Sequence, residues 1–147
     1  MGAHSAIWQG YVDSSLMGSG QFDKAGILAA DFSGLEAGSP GFELQQQPKT
    51  IFLTHHLPQL SQEDINTLAA AFTSSDNAFA NGFSIGGEKF VTIKADERSL
   101  YGKKGKTGAI VVRASACTMI AHHGEGSQTT NAATVVENLV DYINNPQ

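Results

Sequence analysis

Cysteine and long apolar runs are nearly absent from this chain of 147 residues, and each absence excludes a class of protein. The single cysteine, Cys117, excludes a disulfide within the chain and is typical of a reducing compartment. No apolar run approaches the roughly 18 residues of a membrane span, and no basic-then-apolar leader opens the sequence. We therefore expect a cytoplasmic protein that is not an integral membrane protein.

Positive charge is also in short supply. The formal net charge is −5 and the pI is near 5.4, a balance that argues against general nucleic-acid binding. Yet seven of the nine Lys and Arg residues fall between Lys89 and Arg113. A basic sector in an acidic chain indicates either a surface for an anionic partner or the solvated face of two strands.

Helical periodicity appears at both ends of the chain and once in the middle. Residues 5–16 repeat apolar side chains at helical spacing behind Ser5, and residues 131–144 do the same behind Asn131, so both residues are candidate N-caps. A third helix is predicted over residues 61–72, where Ser61 begins a sequence that resembles a capping box. A run of polar residues, 74–77, ends that helix.

Short β-prone runs separated by turns fill most of the remainder: residues 24–31, 35–38, 82–85, 89–94, 100–101, 109–113 and 117–121. Strands joined by short turns are antiparallel, because parallel crossovers need a dozen residues or more. The sequence therefore predicts one α+β domain over residues 1–147, an antiparallel meander with helices on its faces. Residues 39–56, rich in Pro, Gly and Gln, are predicted to form a surface insertion.

Catalytic and metal-binding patterns find little support. Gly105-Lys-Thr lacks the earlier glycine of a phosphate loop, and a predicted strand rather than a helix follows it. His55-His56 and His122-His123 are adjacent pairs, and neighbouring side chains on a strand point to opposite faces, so neither pair can chelate a metal. The second pair is predicted to make surface or interface contacts, and Cys117 to be inert core. We expect a protein that is not an enzyme and needs no cofactor or metal.

Aromatic residues on the terminal helices point towards binding instead. Trp8 and Tyr11 are neighbours on one helix surface and either cover the core or form a platform for a partner. Tyr142 on the last helix supplies another ring, and Leu139 an apolar floor, if the two helices pack side by side. Such an aromatic groove suits a polyproline helix, which is already ordered before it binds.

Four sequence blocks resemble the profilin family. Trp8-Gln-Gly-Tyr-Val-Asp13 is similar to the family's W-x-x-Y-V-D, and Asn81-Gly-Phe with Gly86-Gly-Glu-Lys-Phe90 to its G-x-x-x-G-G-x-K-[YF]. Gly102-Lys-Lys-Gly105 and the closing residues 135–142 resemble plant-like members. The blocks span the chain except residues 39–56 and the first few. The resemblance implies a sheet with the terminal helices on one face and smaller helices on the other.

The resemblance also implies an actin-monomer-binding protein that regulates actin polymerisation and acts as a monomer. Proline-rich segments, as in formins, would bind at Trp8, Tyr11, Leu139 and Tyr142. Monomeric actin would bind at Phe79, Lys89, Thr92, Lys94, Lys104, His123, Thr129 and Asn131. Anionic phosphoinositide lipids would bind at Lys103, Lys104 and Arg113.

Two departures from the family pattern bear on these affinities. Leu35 stands where the family usually has a second tryptophan, and the loss of a stacking ring predicts weaker proline binding. Tyr101 stands where plant-like members have arginine, which bears on phosphoinositide affinity. The alternative interpretation is a small-ligand sensor or enzyme domain of similar architecture, because fold does not fix function. That alternative would be favoured by a deep apolar pocket inside the sheet.

Overall fold

The computed structural model of the protein describes residues 8–32, 34–39, 62–85 and 88–145. The predicted caps Ser5 and Ser61 lie outside these ranges, as does the predicted insertion beyond Ser39. The elements are α1 (residues 8–19), β1 (Lys24–Ala29), β2 (Leu35–Gly38), α2 (Gln62–Thr73), α3 (Ser75–Asn81), β3 (Phe83–Ile85), β4 (Glu88–Ala95), β5 (Ser99–Lys104), β6 (Thr107–Arg113), β7 (Cys117–His123) and α4 (Thr129–Asn144). Among the described residues, no helix is long and apolar enough to cross a membrane.

The strands form one antiparallel sheet in the order β2-β1-β7-β6-β5-β4-β3. From β3 to β7 each strand pairs with its neighbour in sequence, which is the predicted meander. β1 joins this meander from outside by pairing with β7, where Ile27 lies opposite Met119. The predicted antiparallel α+β fold is confirmed.

Each face of the sheet buries its own hydrophobic cluster. α1 and α4 cover one face, where Ile110 of β6 packs in the same cluster as Val136 of α4. α2 and α3 cover the other face, where Val111 packs in the same cluster as Leu68 of α2. Ile110 and Val111 are neighbours on one strand, so strand alternation alone sends them to opposite faces. The terminal helices thus share one face, as the resemblance implied.

α1 differs from the regular α-helix that its period predicts. Residues 8–10 are α-helical, Tyr11–Leu16 form a π-helix and Met17–Ser19 a 3-10 turn. The side-chain amide of Gln9 then fastens this helix to the edge of the sheet, since it donates to the carbonyl of Gly38 at 3.0 Å and accepts from its N–H at 3.2 Å. π-helical turns are rare in proteins, and those that occur are often at functional sites. Tyr11, the first residue of this turn, is therefore a candidate functional residue.

α3 is a helix that the sequence pattern did not predict. The polar run 74–77 was predicted only to end a helix, but Ser74 also caps the next helix, where its hydroxyl accepts from the N–H of Asn77 at 3.2 Å. Serine and asparagine suit both roles, because their side chains compete with backbone partners at either end of a helix. β5 likewise runs further than predicted, through Lys104, and the turn falls at Gly105, whose φ is 64°.

The start of α4 is three residues earlier than predicted. The N-cap is Gln128 rather than Asn131, which lies inside the first turn. Thr129 is fixed at the helix start because its hydroxyl lies 2.8 Å from Nε2 of His123 on β7. The start of α4 therefore coincides with a tertiary hydrogen bond, which the local sequence pattern cannot predict.

Cys117 confirms its predicted role as inert core. The side chain is fully buried in the cluster beneath α1 and α4. Burial, and secondarily the negative charge of Glu36, raises the pKa of the thiol to about 12. The reactive thiolate is therefore a minor species at neutral pH.

Candidate binding surfaces

α1 and α4 lie in contact on one face of the sheet and present Tyr11, Leu139 and Tyr142, which we call the terminal-helix surface. Tyr11 and Leu139 are half-buried against the cluster below. Tyr142 follows Leu139 by one turn on the same side of α4 and is 51% exposed. The structure therefore brings together three of the four residues predicted for proline binding as accessible side chains.

Trp8 does not form the exposed platform that its position beside Tyr11 suggested. Its side chain is only 6% exposed and belongs to the cluster that also holds Val12. The indole ring lies 5.8 Å from the ring of Tyr11, so Trp8 supports Tyr11 from behind. Leu35 pairs with Leu28 through the backbone of β2 and β1, and its side chain lies outside the described part of the structure.

Glu137 fixes the rotation of α4 over β5. Its carboxylate accepts hydrogen bonds from the Ser99 hydroxyl at 2.6 Å, from Arg98 Nε at 3.0 Å and from the Tyr101 hydroxyl. Burial, and then the hydrogen bond to Glu137, raises the pKa of Tyr101 above its ordinary value, so the phenol stays a donor. Tyr101, which stands where plant-like members have arginine, therefore helps to hold α4 against β5 through its hydrogen bond to Glu137.

A second accessible surface lies where α3 meets β4. Phe79, Lys89 and Val91 line a cleft of about 380 Å³ between these elements. Phe79 is 52% and Val91 68% exposed. Gly82 permits the close approach, because its φ is 69° and a Cβ there would lie 2.3 Å from the carbonyl oxygen of Phe90. Two residues predicted to contact actin, Phe79 and Lys89, are therefore brought together.

A row of opposed residues runs from this cleft across four strands to α4. Val91 lies opposite Lys103, Lys103 opposite Gly108, and Gly108 opposite His123. Opposed residues share a face, and α4 covers the His123 end of the row while Val91 and Lys103 stay exposed. We use the name strand surface for the exposed residues of the cleft and of this row together with their neighbour Ile93: Phe79, Lys89, Val91, Ile93 and Lys103.

Val91 and Ile93 are not among the predicted contacts, although both are exposed apolar side chains on β4. The available signal was alternation: once Phe90 is assigned to the core, strand period places Val91 on the opposite, unburied face. Exposed apolar side chains on a strand are informative where they cluster with other accessible groups, as they do here.

Three predicted actin contacts are buried side chains with partners inside the protein. Thr92 donates to the carbonyl of Ala78 at 2.7 Å and so holds α3 against β4. His123 and Thr129 bond each other at 2.8 Å beneath α4. These side chains are 6%, 1% and 8% exposed, so little of each is accessible in this conformation, and their part in actin binding stays a prediction. His122 and His123 are 5% and 1% exposed, so the prediction that one of them lies on the surface is wrong.

Asn131, Lys94 and Lys104 do present accessible side chains. Asn131 is exposed on the first turn of α4. Lys94 pairs with Asp96 at 3.4 Å, and Lys104 pairs with Glu88 at 3.5 Å. Both pairs are about half-exposed, so each holds its lysine only weakly and leaves it available to a partner.

The basic sector does not form one patch. Lys103 and Lys104 are neighbours on β5 and point to opposite faces. Arg113 lies five residues beyond the partner of Lys103 on β6, about 16 Å along the strand. Its guanidinium sits 5.9 Å from the Phe32 ring and 5.7 Å from the Phe72 ring. The three residues predicted to bind phosphoinositides, Lys103, Lys104 and Arg113, therefore do not lie together, and their part in lipid binding stays a prediction.

Gly108 gives a test of how α4 is seated. A Cβ at this position would lie 2.5 Å from Nε2 of His123 and 2.9 Å from the carbonyl oxygen of Gly102. We expect Gly108→Ala to lower the free energy of unfolding by about 2 kcal/mol, because a close-packed interior cannot absorb the added methyl. Urea unfolding measures this change. A loss below about 0.5 kcal/mol would contradict the close packing of His123. Gly105→Ala is the control: a Cβ there meets open space, so any loss of stability in that variant comes from backbone strain and not from packing.

No group of three or more His, Cys, Asp or Glu side chains that could hold a metal occurs among the described residues. The described surfaces offer exposed aromatic, aliphatic and ammonium groups, which suit burial against a partner and pairing with its charges. The fold and these two surfaces define a class of small α+β proteins in which both terminal helices pack on one face of an antiparallel sheet.

Comparison with known proteins places the chain within that class. The family model described as Profilin matches residues 6–147. Profilin-1A of Acanthamoeba castellanii is 39% identical over 136 residues, which cover 92% of this chain and 94% of that protein. The chain belongs to the profilin family.

Solved structures agree with this assignment. The crystal structure of Schizosaccharomyces pombe profilin superposes with a TM-score of 0.79 at 35% identity and covers 92% of this chain and 95% of that one. Mouse profilin IIa, solved in complex with a double repeat from the FH1 domain of mDia1, has a TM-score of 0.68 over 93% of this chain and 96% of that one. At 20% identity, the mouse likeness concerns the fold. Family membership sets aside the alternative of a sensor or enzyme domain from another family.

Proposed function

We propose that this protein binds monomeric actin through the strand surface and thereby regulates actin polymerisation in the cytoplasm. The observation that carries the proposal is the cleft between α3 and β4, where Lys89 lies beside the exposed Phe79 and Val91. Exposed apolar side chains beside a cation are typical of the centre and rim of a protein interface. Membership of the profilin family supports actin as the partner, and we propose a single-domain monomer that acts by binding rather than catalysis.

Each residue of the proposed actin site takes one of three roles. Phe79 and Lys89 contact actin directly, and Val91 joins them. Asn131, Lys94 and Lys104 contribute from the rim. Thr92, His123 and Thr129 act from inside, because their hydrogen bonds fix α3 and α4 against the sheet.

Assembly of labelled actin tests this function. An equimolar amount of the protein should lengthen the lag before filaments form, because bound monomers are withheld from nucleation. An assembly curve unchanged at tenfold molar excess would contradict the proposal.

We further propose that proline-rich segments, such as those of formins, bind the terminal-helix surface. Tyr11 and Tyr142 supply rings for an already ordered polyproline helix, and Leu139 adds an apolar side chain on the same surface. The Glu137 hydrogen bonds preorganise α4, so little conformational entropy is lost when the ligand binds. Trp8, in ring contact with Tyr11, gives a fluorescence reporter of binding.

Anionic phosphoinositide headgroups are proposed to bind at the tip of the β5–β6 hairpin, a narrower site than the sequence suggested. Lys103 and Lys104 end β5, and Lys106 lies in the turn that follows. Each basic residue near an anionic surface contributes about 1 kcal/mol. Arg113 is excluded from this site by its distance along β6.

Vesicle co-sedimentation tests the hairpin site. Lys103→Gln with Lys104→Gln should lower binding to phosphoinositide-containing vesicles about thirtyfold, the equivalent of about 2 kcal/mol. Arg113→Gln removes a charge elsewhere on β6 and should leave vesicle binding unchanged. Equal losses in the two variants would show a response to net charge alone and would contradict a site at the hairpin.

A further inference from the structure

The C-terminal half of α4 carries negative charge where a helix does not favour it. Glu137 and Asp141 lie four residues apart, so their carboxylates are neighbours on one flank of the helix and repel each other. The negative end of the helix dipole lies at the same end, and α4 contains no basic residue that would offset it. The half of α4 that presents Tyr142 therefore needs a cation from another part of the chain.

Arg98, in the turn between β4 and β5, supplies that cation. Its Nε donates to Oε1 of Glu137 at 3.0 Å, and one terminal nitrogen donates both to Oδ1 of Asp141 at 2.9 Å and to the backbone carbonyl of Glu137 at 3.2 Å. Ser99 and Tyr101 also donate to the Glu137 carboxylate, but Arg98 adds the contacts to Asp141 and to the helix backbone. A planar guanidinium suits this role, because its donors have a fixed geometry.

The turn that contains Arg98 is itself held in place. Oδ1 of Asp96 accepts from the N–H of Arg98 at 2.8 Å and from that of Ser99 at 2.7 Å. At the far end of α4, Oδ1 of Asn144 accepts from the N–H of Ser115 at 2.8 Å. Arg98 therefore acts from a fixed point, and its loss should loosen the last turns of α4 without detaching them from the sheet.

Arg98 holds the flank of α4 that lies opposite Tyr142. Helical period places Glu137 and Asp141 on one flank of α4 and Tyr142 on the other. The buried Val140 lies between the two flanks. A rotation of the helix about its axis moves both flanks together, so the contacts that fix the first flank also fix the direction in which the ring of Tyr142 points.

We propose that Arg98 is a positioning residue of the terminal-helix surface: it sets the rotation of the last turns of α4 and thereby the placement of Tyr142 beside Tyr11. The consequence for binding rests on the proposed function in proline binding, whereas the geometry rests on the hydrogen bonds of Arg98. Without the guanidinium, the carboxylates of Glu137 and Asp141 repel each other and the end of α4 is less ordered. A ligand must then order it on binding, which lowers the affinity.

Amide hydrogen exchange read by mass spectrometry tests the geometry without a ligand. Arg98→Met keeps most of the aliphatic stem and removes the guanidinium, so residues 139–145 should exchange about fivefold faster than in wild type. Residues 130–134, next to the hydrogen bond between Thr129 and His123, should be unchanged. Arg98→Lys keeps the charge without the planar fork and should give an intermediate rate. Unchanged exchange of residues 139–145 in Arg98→Met, or equal acceleration along the whole of α4, would overturn the inference.

Titration with poly-L-proline then tests the consequence. Arg98→Met should lower the affinity for poly-L-proline about fivefold, through the ordering cost, and leave actin affinity within twofold of wild type. Arg113→Met is the matched control, because it removes the same charge from a side chain that packs against Phe32 and Phe72, and it should leave both affinities unchanged. An equal loss of poly-L-proline affinity in the two arginine variants would overturn the inference.

A double-mutant cycle shows whether Arg98 acts through Tyr142. In a Tyr142→Ala background, Arg98→Met should cause no further loss of poly-L-proline affinity. A fivefold loss that persists in that background would overturn the inference, since it would come from general loosening of the protein. Faster exchange of residues 139–145 in Arg98→Met, in a protein whose wild type does not bind poly-L-proline, would contradict the proposed function and leave the positioning of α4 established.

Discussion

Lys89→Glu is expected to lower the affinity for monomeric actin about hundredfold, which corresponds to about 2.7 kcal/mol. Lys89 lies on the edge of the cleft between α3 and β4 and is exposed. It makes no ion pair with any described residue, so its charge is free to meet a carboxylate of the partner. Reversal of that charge both removes an attraction and sets two negative groups against each other. Titration of labelled monomeric actin measures the change.

The matched control for this variant is Ser115→Glu. Ser115 is exposed in the turn between β6 and β7, at the end of the sheet opposite Lys89. The Ser115→Glu variant introduces the same carboxylate far from the strand surface and should leave actin affinity within twofold of wild type. Similar losses in both variants would show that actin senses the overall charge of the protein, and the strand surface would then be the wrong site.

Tyr142→Ala is expected to lower the affinity for poly-L-proline at least thirtyfold, because an aromatic residue at the centre of an interface often contributes about 2 kcal/mol or more. The side chain is 51% exposed, so its removal should cost little stability. Tyr11→Ala should act in the same direction, with an added cost to the packing of α1. The change in Trp8 fluorescence on titration with poly-L-proline reports the affinity, and a flat titration of wild type would contradict the site.

Phe79→Ala is the matched control for Tyr142→Ala. Both variants remove a half-exposed aromatic ring from a helix, but the two helices lie on opposite faces of the sheet. Phe79→Ala should weaken actin binding and leave poly-L-proline binding unchanged, and Tyr142→Ala should do the reverse. A variant that weakens both ligands would show that the two surfaces are not separate.

The architecture was predictable from sequence because the signals behind it are local. The apolar run in Ala109-Ile-Val-Val-Arg113 and the helical period of α4 depend only on neighbouring residues, and each element ends where it was expected and begins within three residues of its predicted start. Short turns between strands leave an antiparallel sheet as the available solution. The resemblance to profilins then supplied what local patterns do not carry, the placement of both terminal helices on one face.

The accessibility of the site residues was not predictable in the same way, because it depends on contacts between distant parts of the chain. The sequence around Trp8 does not indicate that its indole packs into the core. The sequence around His123 does not indicate that its ring is hydrogen-bonded to Thr129 and buried. The hydrogen bond from Tyr101 to Glu137 joins residues that are 36 positions apart in the sequence. Such partners become visible only when the sheet has brought them together.

The central claim is that two partners bind at separate surfaces of one small domain, and formation of a ternary complex tests it most directly. Sedimentation velocity of labelled monomeric actin should show a faster complex when the protein is added, and a faster one still when a proline-rich peptide of sufficient mass is also present. Lys89→Glu should abolish both steps, and Tyr142→Ala only the second. Displacement of actin by the proline-rich peptide would contradict the account, since it would place both ligands on one surface.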